Sequence, residues 1–143
     1  MIGLLAIQFV ATWFMVGLIW TIQIVHYPLF PFVGEASFPR YEEEHTRRMG
    51  WLLAIPAPVE VATAAALVFV RPSDVSLALV LAAGAVLAVL WVTTALVHVP
   101  LHRELADDPS TRAMRRLVAT NWVRTIGWTV RGGLVILMVM QVR

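Results

Sequence analysis

Four long apolar stretches, separated by charged segments, constrain the fold of this chain more than any other feature. They run over residues 2–27, 50–70, 75–101 and 122–142. A bilayer core about 30 Å thick needs about 20 helical residues to cross it, and each stretch is long enough. Transmembrane β-strands would instead alternate apolar and polar residues over about ten positions. The sequence therefore predicts an all-α integral membrane four-helix bundle, in a single domain over residues 1–143, with both termini on the same side.

The composition agrees with a membrane protein and excludes several other classes. Apolar residues make up 59% of the chain and charged residues 14%, whereas soluble domains have about 45–50% and about 25%. The chain has no cysteine, which excludes disulfide scaffolds and thiolate metal sites. A formal net charge of +2, carried by scattered arginines, does not favour nucleic-acid binding. The lipid bilayer is the expected partner, and a homo-oligomer is compatible with the sequence.

Arginine is distributed unevenly between the two predicted sides of the membrane. One side, which holds the two longer connections and the start of the fourth span, has Arg40, Arg47, Arg48, Arg103, Arg112, Arg115, Arg116 and Arg124. The other side has Arg71 and Arg143. The positive-inside rule then places the longer connections in the cytoplasm and both termini outside. We expect this orientation in a bacterial inner (plasma) membrane.

All four histidines lie at or beyond the predicted cytoplasmic ends of the helices. They are His26, His45, His98 and His102. Pro100 separates the last two and predicts a kink or an end of the helix, because it lacks a backbone donor. We expect His26, His98 and His102 to converge on one site, with His45 added from its loop. With no cysteine available, imidazole ligands suit iron, copper or zinc.

A second group of polar residues is predicted inside the bundle. Glu60 and Arg131 each lie nine residues into a span that starts at the cytoplasmic side, so both should be about 13 Å deep. Because an unpaired charge at that depth is costly, we expect the two to form an ion pair. On the fourth helix, Asn121, Arg124, Trp128 and Arg131 should form one polar stripe that faces the bundle.

The charged segment before the second span contains a further metal-binding pattern. Glu42 and His45 have the Glu-x-x-His spacing of carboxylate-bridged metal bundles. A solvated amphipathic turn is the alternative interpretation of so charged a segment. His45 and Glu60 are 15 residues apart, or about 22 Å along a straight helix, so they can share a metal only if the chain folds back between them.

Several short motifs carry a family resemblance over nearly the whole chain. They are His26-Tyr27-Pro28, Tyr41-x-x-x-His45-x-Arg47-Arg48, Pro58-x-Glu60, Val99-Pro100-x-His102 and Asn121-Trp122-x-Arg124-Thr125-x-x-Trp128. In this order they resemble a family of small bacterial four-span membrane proteins of unassigned function and, more distantly, the DUF1772 or anthrone oxygenase-like membrane proteins. Members of the family often carry another histidine directly after the tyrosine, where this chain has Glu42. The distant resemblance implies oxidation of an activated carbon on a phenolic polycycle.

The first functional hypothesis is a membrane-embedded, metal-dependent oxidoreductase of the oxygenase type. Its histidine-rich site would lie near the cytoplasmic face and act on a small lipophilic substrate that enters from the bilayer. Glu60 would be a ligand or a proton-transfer group whose pKa is set by Arg131. Arg124 and Asn121 would hold an anionic or carbonyl oxygen of the substrate.

Two other hypotheses remain open from the sequence. In a haem-binding electron-transfer bundle, His26 and His98 would be the axial ligands of the haem iron. In a non-enzymatic membrane accessory or carrier protein, the pair of Glu60 and Arg131 would be a structural ion pair or a proton relay.

Overall fold

The computed structural model describes residues 2–142, and that part of the chain is helical throughout, without strands. The α-helices are α1 (Ile2–Thr21), α2 (Phe38–Leu53), α3 (Pro56–Phe69), α4 (Leu77–Thr93), α5 (Val99–Asp107) and α6 (Thr111–Gln141). Three continuous helical stretches are long and apolar enough to cross a membrane: Ile2–Phe32, Leu77–Asp107 and Thr111–Gln141. The all-helical class predicted from the sequence is confirmed, and these stretches are consistent with an integral membrane protein.

The region predicted as the second span, residues 50–70, is not one straight helix. It breaks after Leu53, and α2 and α3 meet there at an angle of 42°. The break has a local cause, because Pro56 and Pro58 cannot donate backbone hydrogen bonds and are tolerated in the first turn of α3. Upstream of the break, much of the expected connection over residues 28–49 is helical, in α2.

Two π-helical turns interrupt the long apolar helices. Ile22–His26 follows α1, and Thr94–His98 follows α4. A proline stands two residues after each turn, at Pro28 and Pro100, and its missing N–H removes one hydrogen bond from the regular ladder. The helical path nevertheless continues through Pro100 into α5. Instead of the kink or helix end predicted at Pro100, the structure has a π-helical turn just before it. Such turns are often found at functional sites.

The last helix begins earlier than residue 122, where the apolar pattern starts. It starts at Thr111, and the side chain of Ser110 caps it by accepting a hydrogen bond of 3.2 Å from the N–H of Ala113. The added turns are amphipathic: Met114 and Leu117 are buried, while their arginine neighbours are exposed. Because these turns are only half apolar, the length of the continuous apolar stretch does not reveal them.

Helix α6 packs against α1 and α4, and α3 packs against the same two helices. One apolar cluster surrounds the end of the bundle where α2 and α5 meet, and a smaller one lies at the other end, around Leu67, Val80 and Met138. Large apolar side chains such as Val10 and Phe69 are on the outside, where a bilayer would cover them. The titratable side chains of the histidine group lie at the end of the bundle where α2 and α5 meet.

Candidate metal centre

The most concentrated group of ligand-type side chains lies where α2 packs against α5. Glu42 and His45 are three residues apart on α2, so they lie on one face of that helix. His102 faces them from α5. The two helices are held together there by fully buried apolar side chains, namely Phe38, Leu101 and Leu105. Apolar packing therefore fixes the distance at which the polar groups meet.

Glu42, His45 and His102 have the geometry of a possible metal site. Each offers one ligand atom, and these atoms all lie within 4.8 Å of one another. The Glu42 carboxylate has 0% exposure. Its Oε1 accepts a short hydrogen bond from Nδ1 of His102, while its Oε2 has no partner among the described residues. A buried carboxylate oxygen without a donor is costly, and a bound cation would satisfy it.

Two further side chains, which are not in the ligand group, form hydrogen bonds with its two histidines. Nε2 of His26 lies 2.8 Å from Nδ1 of His45, and the Tyr27 hydroxyl lies 2.9 Å from Nε2 of His102. Both side chains come from the point where the first π-turn gives way to the helix after it. Such outer contacts orient ligating imidazoles and select their tautomer.

His45 is in the neutral, ligating form. Helix α2 lies outside the three long apolar stretches, and His45 is partly buried there. Burial, together with the neighbouring imidazoles of His26 and His102, lowers the pKa of His45 to about 3. With Nδ1 directed at His26, Nε2 of His45 is left for a metal ion.

A cavity of about 420 Å³ opens beside this group. Its wall is mainly apolar, and the polar side chains on it include Tyr27, His45, His98, His102 and Arg124. Its volume lies in the range of about 300–1,000 Å³ that is usual for small-molecule sites. A ligand in the cavity would lie against two of the three candidate metal ligands.

The four histidines predicted as metal ligands have different places in this arrangement. His45 and His102 belong to the ligand group, and His26 adjoins it through His45. His98 lines the cavity but is not part of the group; its Nδ1 donates to the carbonyl of Thr93 at 3.2 Å. Of His26, His98 and His102, which were predicted to converge on one site, His102 belongs to the ligand group, His26 contacts it through His45, and His98 lies outside it. His26 and His98, the pair considered for haem, make separate contacts.

The predicted ion pair is present, at a place separate from the histidines. Nε of Arg131 lies 2.9 Å from Oε1 of Glu60, and the two side chains are 1% and 0% exposed. The indole N–H of Trp128 donates to the other carboxylate oxygen at 3.3 Å, and Arg131 also donates to the carbonyl of Ala83. The 42° bend does not bring Glu60 back to His45.

The polar stripe predicted on α6 is buried along its length. Asn121 donates to Gln23 of the first π-turn at 2.9 Å. Arg124 is 8% exposed and lies over the ring of Trp128 at 5.6 Å. Of the four residues predicted to be catalytic, Arg124 is the one that lines the cavity, whereas Asn121, Glu60 and Arg131 contact other side chains inside the bundle.

Two residues of the centre were not among the predicted ligands or catalytic groups. Glu42 has a sequence signal, the Glu-x-x-His spacing with His45, but the surrounding charges suggested a solvated turn. Tyr27 has no comparable signal, because its partner His102 is 75 residues away in the sequence.

Comparisons with protein-family models, with curated proteins and with solved structures find no match to this chain.

Proposed function

We propose that this chain is a membrane-embedded, metal-dependent oxidoreductase, with Glu42, His45 and His102 as the metal ligands. One observation carries the proposal: a fully buried carboxylate, one oxygen of which has no hydrogen-bond partner among the described residues, offers a ligand atom within 4.8 Å of the ligand nitrogens of two imidazoles. Because Nε2 of His102 contacts the Tyr27 hydroxyl, a metal would take Nδ1 of His102 and replace its hydrogen bond to Glu42. Three ligands from α2 and α5 would leave further coordination positions free beside the cavity.

The donor set favours iron(II) among the metals considered. Two histidines and one carboxylate, with open positions, are the ligands of non-haem iron oxygenases. Zinc accepts a similar set in hydrolases, and the metal analysis below distinguishes the two; the mainly apolar cavity fits a lipophilic substrate. When bound, iron would supply the reaction with dioxygen. The resemblance to anthrone oxygenase-like proteins agrees with this assignment and stays a prediction.

The protein's own side chains would orient the ligating imidazoles, bind the substrate and exclude water from the site. His26 fixes the ring of His45, and the Tyr27 hydroxyl does the same for His102. Phe30 packs edge-on against both His26 and His45, with ring centroids 5.2 and 5.8 Å apart, and so covers this side of the site. The substrate would occupy the cavity.

In this proposal the chain crosses the membrane four times, with α3 as the second span and α2 at the cytoplasmic surface. The 14 residues of α3 cover only about 21 Å, so the last turn of α2 must extend the crossing. Helix α2 is amphipathic, which suits a position at the membrane surface. The arginine distribution orients both termini outward. The metal centre then lies near the cytoplasmic face of the bacterial inner membrane.

Metal analysis of protein purified in mild detergent after metal-replete expression tests the proposal. We expect about one iron per chain in the wild type. The substitutions Glu42→Gln and His102→Ala should each remove most of it. Glu43→Gln is the matched control for the first, because Glu43 is the exposed neighbour of Glu42. His98→Ala is the control for the second, because His98 lines the cavity outside the ligand group.

A wild-type protein that is folded and free of metal would contradict the proposal, and so would full metal content in Glu42→Gln. In the first case the contact between Glu42 and His102 is a structural hydrogen bond, and the accessory or carrier interpretation takes its place. In the second case other groups hold the metal.

A further inference from the structure

Two arginines of the polar stripe on α6 are buried, but only one of them has an acidic partner. Arg131 pairs with Glu60 at 2.9 Å. No salt bridge within residues 2–142 includes Arg124, and its Nε has no acceptor in that part of the chain. The polar group beside Arg124 is the hydroxyl of Tyr27, and a phenol carries no charge near neutral pH. Because a guanidinium does not lose its proton in proteins, Arg124 brings an uncompensated positive charge to the cavity wall.

Neither of the two acids near the cavity forms an ion pair with Arg124. Glu42 accepts a hydrogen bond from His102, and in the proposed metal-bound state it is shared with the cation. Glu43, which also lines the cavity, is exposed at its rim. An anionic ligand paired with Arg124 is the simplest way to balance the charge of its guanidinium.

We propose that the cavity binds a small apolar carboxylate whose charged end pairs with Arg124. The planar guanidinium matches a carboxylate in a two-point contact. Met49, Leu53 and Val99 line the rest of the wall and suit an apolar body. The apolar body would lie beside His45 and His102. The bound carboxylate is therefore the substrate only if these residues hold the metal, and to that extent the inference rests on the proposed function.

A single negative charge is the expected one, because one guanidinium has to be balanced. A phosphate monoester carries about −1.5 to −2 charges near neutral pH and would leave an excess of negative charge. A lipid phosphodiester is the alternative monoanion in a bilayer, and the experiment includes it as a separate probe.

Calorimetric titration of the detergent-solubilised protein with 2-naphthoate tests this inference. The matched probes are 2-naphthalenemethanol, which has the same body without the charge, and short-chain phosphatidylglycerol. We expect saturable binding of naphthoate to the wild type and at least tenfold weaker binding to Arg124→Gln. Arg124→Lys should recover part of the affinity, since it keeps the charge but loses the two-point contact. The neutral alcohol should bind both proteins weakly and alike.

Two further variants locate the ligand. Arg103→Gln removes the exposed arginine at the rim of the cavity and should leave the affinity for naphthoate within about twofold, because exposed charges are well screened. Ala106→Phe fills the cavity and should abolish binding without touching Arg124, which keeps the test valid if Arg124→Gln does not fold. The inference is overturned if naphthoate does not bind, if Arg124→Gln binds it as the wild type does, if the loss appears in Arg103→Gln instead, or if phosphatidylglycerol is the tighter, Arg124-dependent ligand.

Running the titration on metal-loaded and on chelator-treated protein separates this inference from the proposed function. Metal without naphthoate binding overturns the carboxylate site alone. Arg124-dependent naphthoate binding in a protein that never holds metal supports the site and overturns the metal-dependent activity.

Discussion

Replacing Glu60 by glutamine should destabilise the protein strongly, because it leaves Arg131 charged and unpaired inside the bundle. The two side chains are 0% and 1% exposed, so water cannot replace the lost carboxylate. Removing one partner of a buried ion pair typically costs about 3–5 kcal/mol. At about 2–4 °C per kcal/mol for a chain of this size, the melting temperature should fall by about 6–20 °C. Glutamine keeps an oxygen for the indole N–H of Trp128, so the loss reports mainly on the charge.

Thermal unfolding in detergent, followed by circular dichroism, measures this loss in a double-mutant cycle. Arg131→Met alone should cost less, because a buried carboxylate can take up a proton. The double variant Glu60→Gln with Arg131→Met should be clearly more stable than the sum of the two single changes predicts. Glu44→Gln is the matched control, because Glu44 pairs with Arg47 at 2.6 Å on the exposed face of α2, where ion pairs contribute little. Additive effects, or equal effects of Glu60→Gln and Glu44→Gln, would refute the reasoning.

Three other predictions concern the metal centre and the topology. Tyr27→Phe and His26→Ala should each weaken metal binding by about 10–100-fold while the fold is kept, because they remove the outer contacts of His102 and His45, respectively. Metal titration checks this prediction, and an unchanged metal affinity would contradict it. The metal-free protein should lose stability as the pH falls from about 6.5 toward 3, because burial holds the pKa of His45 at about 3 in the folded state while the unfolded chain takes up the proton near 6.5. That loss, measured as melting temperature against pH, should be smaller in His45→Gln, and an identical profile would argue against it. Reporter fusions at Arg143 should be active outside the cytoplasm, because the arginine-rich connections are expected inside; a cytoplasmic carboxyl terminus would reverse the proposed orientation.

Features of the bundle interior could be predicted from the sequence because they depend on local periodicity. Apolar length identified the helical stretches, and the angle of about 100° per residue placed Asn121, Arg124, Trp128 and Arg131 on one buried stripe. Similar depths counted from the predicted starts of the second and fourth spans paired Glu60 with Arg131. These arguments hold wherever helices are regular and roughly parallel, since neither charge can remain unpaired in an apolar interior.

The metal centre depends on contacts that no local rule supplies. Whether Glu42 is solvated or buried is decided by α5, which packs on it through residues about 60 positions further along the chain. The π-turns that end at His26 and His98, and the 42° bend between α2 and α3, change the direction of side chains relative to a regular helix. The sequence by itself determined a helical protein with stretches long and apolar enough to cross a membrane, a buried ion pair, and its histidines at one end. Only the tertiary structure decided which histidines meet a carboxylate, because that choice depends on the packing of helices distant in sequence and on irregular turns, which residue spacing does not encode.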